Sequence, residues 1–252
     1  MAYLPLSPSA RRRRVAGAYL SFQPGGAPVF ANVSAVRAGD AAGLTALAAE
    51  AAAWFASLGR TNFVWFLGPS TTPADAATLL QAGGATQIAG APKAMLLDRE
   101  PARGADADIR TVDDAVLLLR FRELLAPAGG GALTDELRAE LAATNDAAWA
   151  DLQALGGARR CYLAYDGAEP VAAATMLFTE VGLAMLSGGA TTPHAQRRGF
   201  YRALVRARWE DAQANGYPVV ATQAGDDSAP ILLALGFTPV ADLVVLGQAI
   251  AG

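Results

Sequence analysis

The chain is poor in the residues that build most small catalytic and metal sites. Its 252 residues include one cysteine, Cys161, one histidine, His194, and a single lysine, Lys93. One cysteine excludes an intrachain disulfide. One cysteine with one histidine leaves no His/Cys set for zinc. Charged residues make up only 17% and the formal net charge is -3, so the basic excess of a nucleic-acid binder is missing. No apolar run reaches the roughly 20 residues a membrane helix needs. The best window, residues 170–193, carries Thr179, Glu180 and Gly182 at its centre and reads as two strands joined by a turn. What is abundant is apolar: 53% of residues are hydrophobic, which excludes an intrinsically disordered chain. Alanine (59 residues) and arginine (19) dominate by composition alone and carry no mechanism.

Near the N-terminus, Arg11, Arg12, Arg13 and Arg14 precede a short apolar stretch that is cut by Gln23 and Pro24. The pattern faintly resembles a twin-arginine export signal, but the apolar part is short and interrupted, whereas such signals need an apolar region of about 7–15 residues and then a small-residue cleavage site. Residues 1–27 are therefore expected to be a flexible basic leader of a cytoplasmic protein. Beyond them, 28–36 reads as a strand and Asp40 as the N-cap of an alanine-rich helix over 41–58, closed by Gly59. A buried strand at 62–67, a helix ending near Gly83 and a strand at 94–97 complete a β-α-β-α-β order. A charged Pro/Gly segment, 98–108, reads as a domain linker. After it come a strand at 109–112, helices at 113–125 and 134–155, and a three-strand meander at 160–165, 171–178 and 183–190. A helix over 195–214, a strand at 218–223, a short helix over 228–235 and a closing strand at 239–247 follow. The halves repeat: strand 28–36, helix 41–58, strand 62–67 and the helix before Gly83 match strand 183–190, helix 195–214, strand 218–223 and the helix before Gly236. The expected domains are 28–103 and 104–252.

The segment from Gly188 to Leu204 carries the chemistry. A strand ends, a polar turn passes and a helix opens within a few residues, with Gln196, Arg197, Arg198 and Gly199 at the opening. The first backbone N–H groups of a helix have no partners within it and sit at the positive end of its dipole, which makes an anion site. Gly199 removes a side chain where a phosphate would approach, and Arg197, Arg198 and Arg202 add positive charge. With Arg206 and Arg208 they form a basic cluster on one helix, hidden beneath the acidic average.

This stretch resembles the acetyl-coenzyme A loop of the GCN5-related N-acetyltransferase (GNAT) superfamily, whose pattern is Gln/Arg-x-x-Gly-x-Gly/Ala between a strand and a helix. Gln196 to Gly199 match, while Tyr201 stands where the final Gly/Ala belongs. Residues 228–237 resemble the family's closing helix, turn and strand. Leu232 replaces the tyrosine that often protonates the departing thiolate, and Gly225 replaces a frequent asparagine. The resemblance covers about 108–250 well and 28–98 in outline. It implies an α/β (α+β) fold, a mixed and mostly antiparallel sheet flanked by helices, with a second, degenerate GNAT-like half at the N-terminus. There Asp40 puts a carboxylate where a phosphate would sit.

The same resemblance implies acetyl-coenzyme A as cofactor, held by Gly189, Ala190, Thr191, Gln196, Arg197, Arg198, Gly199, Phe200, Tyr201 and Arg202. The implied partner is a small-molecule amine, without nucleic acid or membrane, in a monomer or homodimer. Asp226 is the candidate base that takes a proton from the attacking amine, with helix capping as its structural alternative. Two functions are open: an N-acetyltransferase acting on a small primary amine, or a non-catalytic acyl-coenzyme A sensor that has lost its acid.

Overall fold

The structure, a computed structural model, describes residues 7–24, 31–88, 90, 92–102, 106–129 and 132–250. The chain divides into two compact units. The first comprises Met1–Ala94, Ala224–Ala229 and Pro239–Gly252; the second comprises Met95–Gln223 and Pro230–Thr238.

The first unit is built on a sheet that begins with a hairpin, β1 (Arg11–Val15) and β2 (Ala18–Phe22), paired from Arg11↔Phe22 to Val15↔Ala18. Gly17 closes this hairpin with φ +81°, and a Cβ there would lie 2.8 Å from the Arg37 carbonyl oxygen, so no larger residue fits. This corrects the expectation of a flexible leader over 1–27, of which residues 1–6 and 25–27 lie outside the described residues. Its arginines sit mostly exposed on β1, an edge strand, where charge opposes unwanted strand pairing. Tyr19 and Leu20 on β2 pair with Ser34 and Val33 of β3 (Ala31–Ser34). The helix α1 (Ala41–Ser57) connects β3 to β4 (Asn62–Leu67), which lies parallel to it. The Asp40 side chain accepts from Gly43 N at 2.8 Å and caps α1. Leu44, Leu47, Ala51 and Phe55 recur on the buried face of α1 at helical spacing. Phe55 stacks on Phe63 at 5.0 Å, and Phe63 lies 5.5 Å from Trp65. Leu80 of α2 (Ala76–Ala82) closes the same core.

Four more strands show where the halves close. These are β5 (Thr86–Gln87), β6 (Lys93–Leu97), β12 (Thr238–Asp242) and β13 (Val244–Ala249). A single closing strand over 239–247 was expected for the C-terminal domain. Instead the chain makes two, and β13 lies in the six-stranded sheet of order β1-β2-β3-β4-β13-β5. It pairs with β4 along its whole length, Val244↔Leu67 to Ala249↔Asn62. The apolar Val245 and Leu246 dictate this: Leu246 is fully buried opposite Trp65, in the core that α1 covers. Conversely β6, expected as the last strand of the N-terminal domain, belongs to the seven-stranded sheet. The domains are thus not contiguous stretches, because each half gives its final strand to the other sheet.

The second unit is built on β7 (Asp108–Thr111), β8 (Arg159–Asp166), β9 (Glu169–Phe178), β10 (Ala184–Thr191) and β11 (Val220–Ala224). The sheet order is β12-β6-β11-β10-β9-β8-β7. Neighbours from β7 to β10 are antiparallel, as the meander predicts, and β10 runs parallel to β11. The helices are α3 (Ala115–Leu125), α4 (Asp135–Ala143), α5 (Asn145–Ala154), α6 (Phe200–Ala214) and α7 (Ala229–Leu235). Leu118, Phe121, Cys161, Leu163 and Ala173 form a core between α3 and the sheet, and burial pushes the Cys161 thiol pKa up. The unit β3-α1-β4-α2 recurs as β10-α6-β11-α7, each time with a parallel strand pair bridged by a long helix.

The placement of β13 makes a direct prediction. Leu246→Ala should destabilise the N-terminal unit by about 2–5 kcal/mol. Urea unfolding followed by Trp54 and Trp65 emission, with Trp149 and Trp209 replaced by Phe, reads it out. An unchanged midpoint would contradict the exchanged strand.

Candidate functional site

The site grows from two parallel strands that part. β10 pairs with β11 only over Ala184–Leu186, opposite Val220–Thr222, whereas its pairing with β9 continues to Thr191. The Thr222 hydroxyl donates to the Leu186 carbonyl at 3.2 Å and marks the last shared rung. Beyond it, the edge of β10 that faces away from β9 has no strand partner among the described residues. A register shift between Ser187 and Gly189 bends β10 at this point, with Gly188 at φ +59°.

A 3-10 turn over Pro193–Ala195 then leads into α6. Gly199 sits at the N-cap position in a left-handed conformation, φ +93°, and no side chain caps the helix. The first helical bond runs from Ala203 N to Gly199 O at 3.0 Å. The N–H groups of Phe200, Tyr201 and Arg202 therefore have no carbonyl partner within the helix. Arg197 is also left-handed, φ +62°, a conformation that costs a non-glycine residue on the order of 1–2 kcal/mol. Left-handed residues at 197 and 199, next to a helix start without a side-chain cap, are the kind of backbone from which anion-binding nests are built. The sequence pointed to the helix start and to Gly199. It carried no signal for the strained Arg197.

Two of the five arginines of the basic cluster expected on this helix are paired away and a third is buried. Arg198 donates to Asp166 at 2.6 and 3.0 Å and lies over the Phe200 ring. Arg206 is bound by Glu210 and Glu100. Arg208 is 1% exposed, inside the protein. Among the described residues, Arg197 and Arg202 are the cluster members that stay near the nest without an ion pair. Gln196 reaches the Thr191 carbonyl at 3.4 Å and ties the loop to the end of β10. Phe200 is buried beneath the helix start.

Tyr201, the departure from the family pattern, is accommodated by the strand. A Cβ on Gly189 would lie 3.4 Å from Tyr201 Cε2, so the ring covers the glycine backbone. Burial raises the Tyr201 pKa, with the Arg208 charge opposing it. Gly189, Ala190, Thr191 and the residues from Gln196 to Arg202 thus come together around the end of β10 and the start of α6. Asp226 follows β11 in the segment Ala224–Ala229, which belongs to the first unit, and is exposed, with its carboxylate beside Gly90. Leu232, in place of the expected acid, is 1% exposed and carries no proton. A separate cavity of about 580 Å3 is lined by Arg120, Glu123, Leu133, Glu169 and Pro170, and its buried Glu123 is already paired with Arg120 and Arg138.

The corresponding turn of the first unit is filled from within. The Asp40 carboxylate occupies the α1 amide that would otherwise meet an anion, as the sequence indicates.

No protein-family model and no curated protein matches the chain. Solved structures do. A GCN5-related N-acetyltransferase from Kribbella flavida is 19% identical with TM-score 0.68, covering 97% of this chain and 91% of that one. A tandem GNAT protein from the clavulanic acid biosynthesis pathway is 20% identical with TM-score 0.61, covering 98% and 85%. A GCN5-related N-acetyltransferase from Sphaerobacter thermophilus is 14% identical with TM-score 0.59, covering 94% and 81%. The chain therefore has the GNAT fold in its two-domain form.

The Asp166–Arg198 pair gives a test of the loop's anchoring. The Arg198 hydrogen bonds hold the Asp166 carboxyl below the usual carboxylate range. A depressed folded-state pKa stabilises the fold above the ordinary carboxylate pKa, and that contribution is lost as pH falls through the lowered value. Arg198→Gln should return the Asp166 titration, followed by carboxyl NMR shifts, to the ordinary range.

Proposed function

We propose that the chain is an acetyl-coenzyme A-dependent N-acetyltransferase acting on the primary amine of a small molecule. The observation that carries this reading is the uncapped, left-handed amide nest at residues 197–202, set beside the unpaired edge of β10. The residues fit a diphosphate: three amides at the helix start lack carbonyl partners within α6, Gly199 adds no side chain, and among the described residues Arg197 and Arg202 have no ion pair. Bound there, acetyl-coenzyme A supplies a thioester. The chain supplies the rest. Backbone groups of Gly189–Thr191 hold the pantetheine arm as an added strand, and one of their N–H groups polarises the carbonyl that the amine attacks. We assign Asp226 as acceptor of the amine proton, directly or through water. The proposal extends to a cytoplasmic monomer or homodimer that uses neither nucleic acid nor a membrane.

A second reading, an acyl-coenzyme A sensor without turnover, is favoured by one observation, the buried Leu232 at the position of the expected acid. Thiol release from acetyl-coenzyme A across an amine panel separates the two. Binding without release for any amine points to the sensor.

Gly199→Glu is expected to abolish coenzyme A binding in calorimetry, because it sets a carboxylate and a strained φ against the diphosphate. Unchanged affinity would overturn both readings. Asp226→Asn should lower kcat by about a hundredfold to ten-thousandfold at an unchanged KM for acetyl-coenzyme A, the range of a lost general base.

A further inference from the structure

Among the described residues, Arg208 is the one buried arginine, and it has no carboxylate partner. It lies on the face of α6 that also carries Tyr201 and Leu204. Its Nε donates to the Leu204 carbonyl at 2.9 Å and its Nη1 to the Thr175 carbonyl at 3.0 Å. The groups facing it are Tyr201 from its own helix and Tyr162 from β8. The nearby Asp211 carboxylate is already taken by Arg160 and by the Tyr162 hydroxyl. Burial pulls the guanidinium pKa down to about 10, so it is cationic at neutral pH. A buried cation held only by carbonyls is costly, and an apolar side chain of similar length would fill the volume more cheaply.

The work that an apolar residue could not do is at Thr175. This residue lies opposite Ser187, the last rung before the register shift of β10, and its Oγ1 is 3.9 Å from where a Gly188 Cβ would stand. Arg208 therefore grips the backbone across from the bend that separates the paired part of β10 from its open edge. Tyr201, on the same helix face, covers Gly189 just beyond that bend.

We propose that Arg208 is a positioning residue for acyl transfer, fixing the bend of β10 at Gly188 through the Thr175 carbonyl and seating Tyr201 against Gly189. The proposal rests on the acyltransferase reading for its consequence in catalysis, but its structural half stands alone. The loss of the grip leaves the nest at residues 197–202 intact and lets the 187–191 edge wander, so the thioester binds but is poorly aligned.

The test uses the full chain with Arg208→Met and Arg208→Lys. In Arg208→Met the melting temperature should stay or rise, since a buried charge has been removed. Amide exchange over 187–191 should accelerate about tenfold or more while α6 and β8 keep their protection. Coenzyme A affinity should change less than about threefold, and kcat should fall about tenfold to a hundredfold at little-changed KM, the scale of a small misalignment. Arg208→Lys keeps the charge but reaches one carbonyl, so its values should lie between. If Arg208→Met does not fold, Arg208→Lys decides by the same exchange readout. Unchanged exchange over 187–191, or equal acceleration across α6, β8 and β9, overturns the proposal. If the wild type shows no transfer, the acyltransferase reading falls, while the exchange comparison still decides whether Arg208 holds the bend.

Discussion

Everything distinctive about the second unit follows from the parting of β10 and β11 after the rung of Leu186 and Thr222. Parallel strands are normally paired along their length, and backbone groups buried without partners are expensive. Here the pairing stops while β10 continues for five residues. The released edge needs a partner from elsewhere, water or an extended ligand. The bend at Gly188, the glycine at 189 and the placement of α6 over the strand all serve that open edge. The nest at the start of α6 adds a second unsatisfied set of amides close by in sequence. The open edge of β10 and the helix-start amides of α6 are the two backbone features on which the proposed acetyl-coenzyme A site rests.

The two copies of the strand-helix-strand unit differ by one chemical choice at the same turn. In the first, Asp40 supplies its own anion to the helix amide. In the second, Gly199 supplies nothing. A carboxylate in place of a missing side chain converts a binding site into an ordinary helix cap. The degenerate half is thus not an eroded fold. Its core of Phe55, Phe63 and Trp65 is fully buried, and only the recognition chemistry is absent.

Much of this was legible in the sequence because it is local. Helix 41–58 was marked by Asp40 and by apolar spacing, the meander by its turns, and the nest by Gln196 and Gly199 between a strand and a helix. The hairpin at Arg11–Phe22 was not, because four consecutive arginines mask the alternation of an exposed edge strand. The strand exchange was hidden for a different reason. The pattern of Val244 to Leu246 says that a buried strand exists there, but which neighbour it pairs with depends on contacts between residues far apart in the chain. The arginine cluster misled in the same way. Spacing placed Arg197, Arg198, Arg202, Arg206 and Arg208 on one helix, but only tertiary contacts reveal that two are paired away and one is buried.

The exchanged strand also shapes how the protein is made. β4 has its parallel neighbour β3 as soon as residues 31–67 exist, but its other neighbour, β13, is translated only at residues 244–249. Until then the open edge of β4, with Phe63 and Trp65 behind it, is exposed to solvent and to other nascent chains. Such long-range pairing is slow to form and prone to misassembly. The N-terminal half, although synthesised first, completes its sheet only when the last strand of the chain is made.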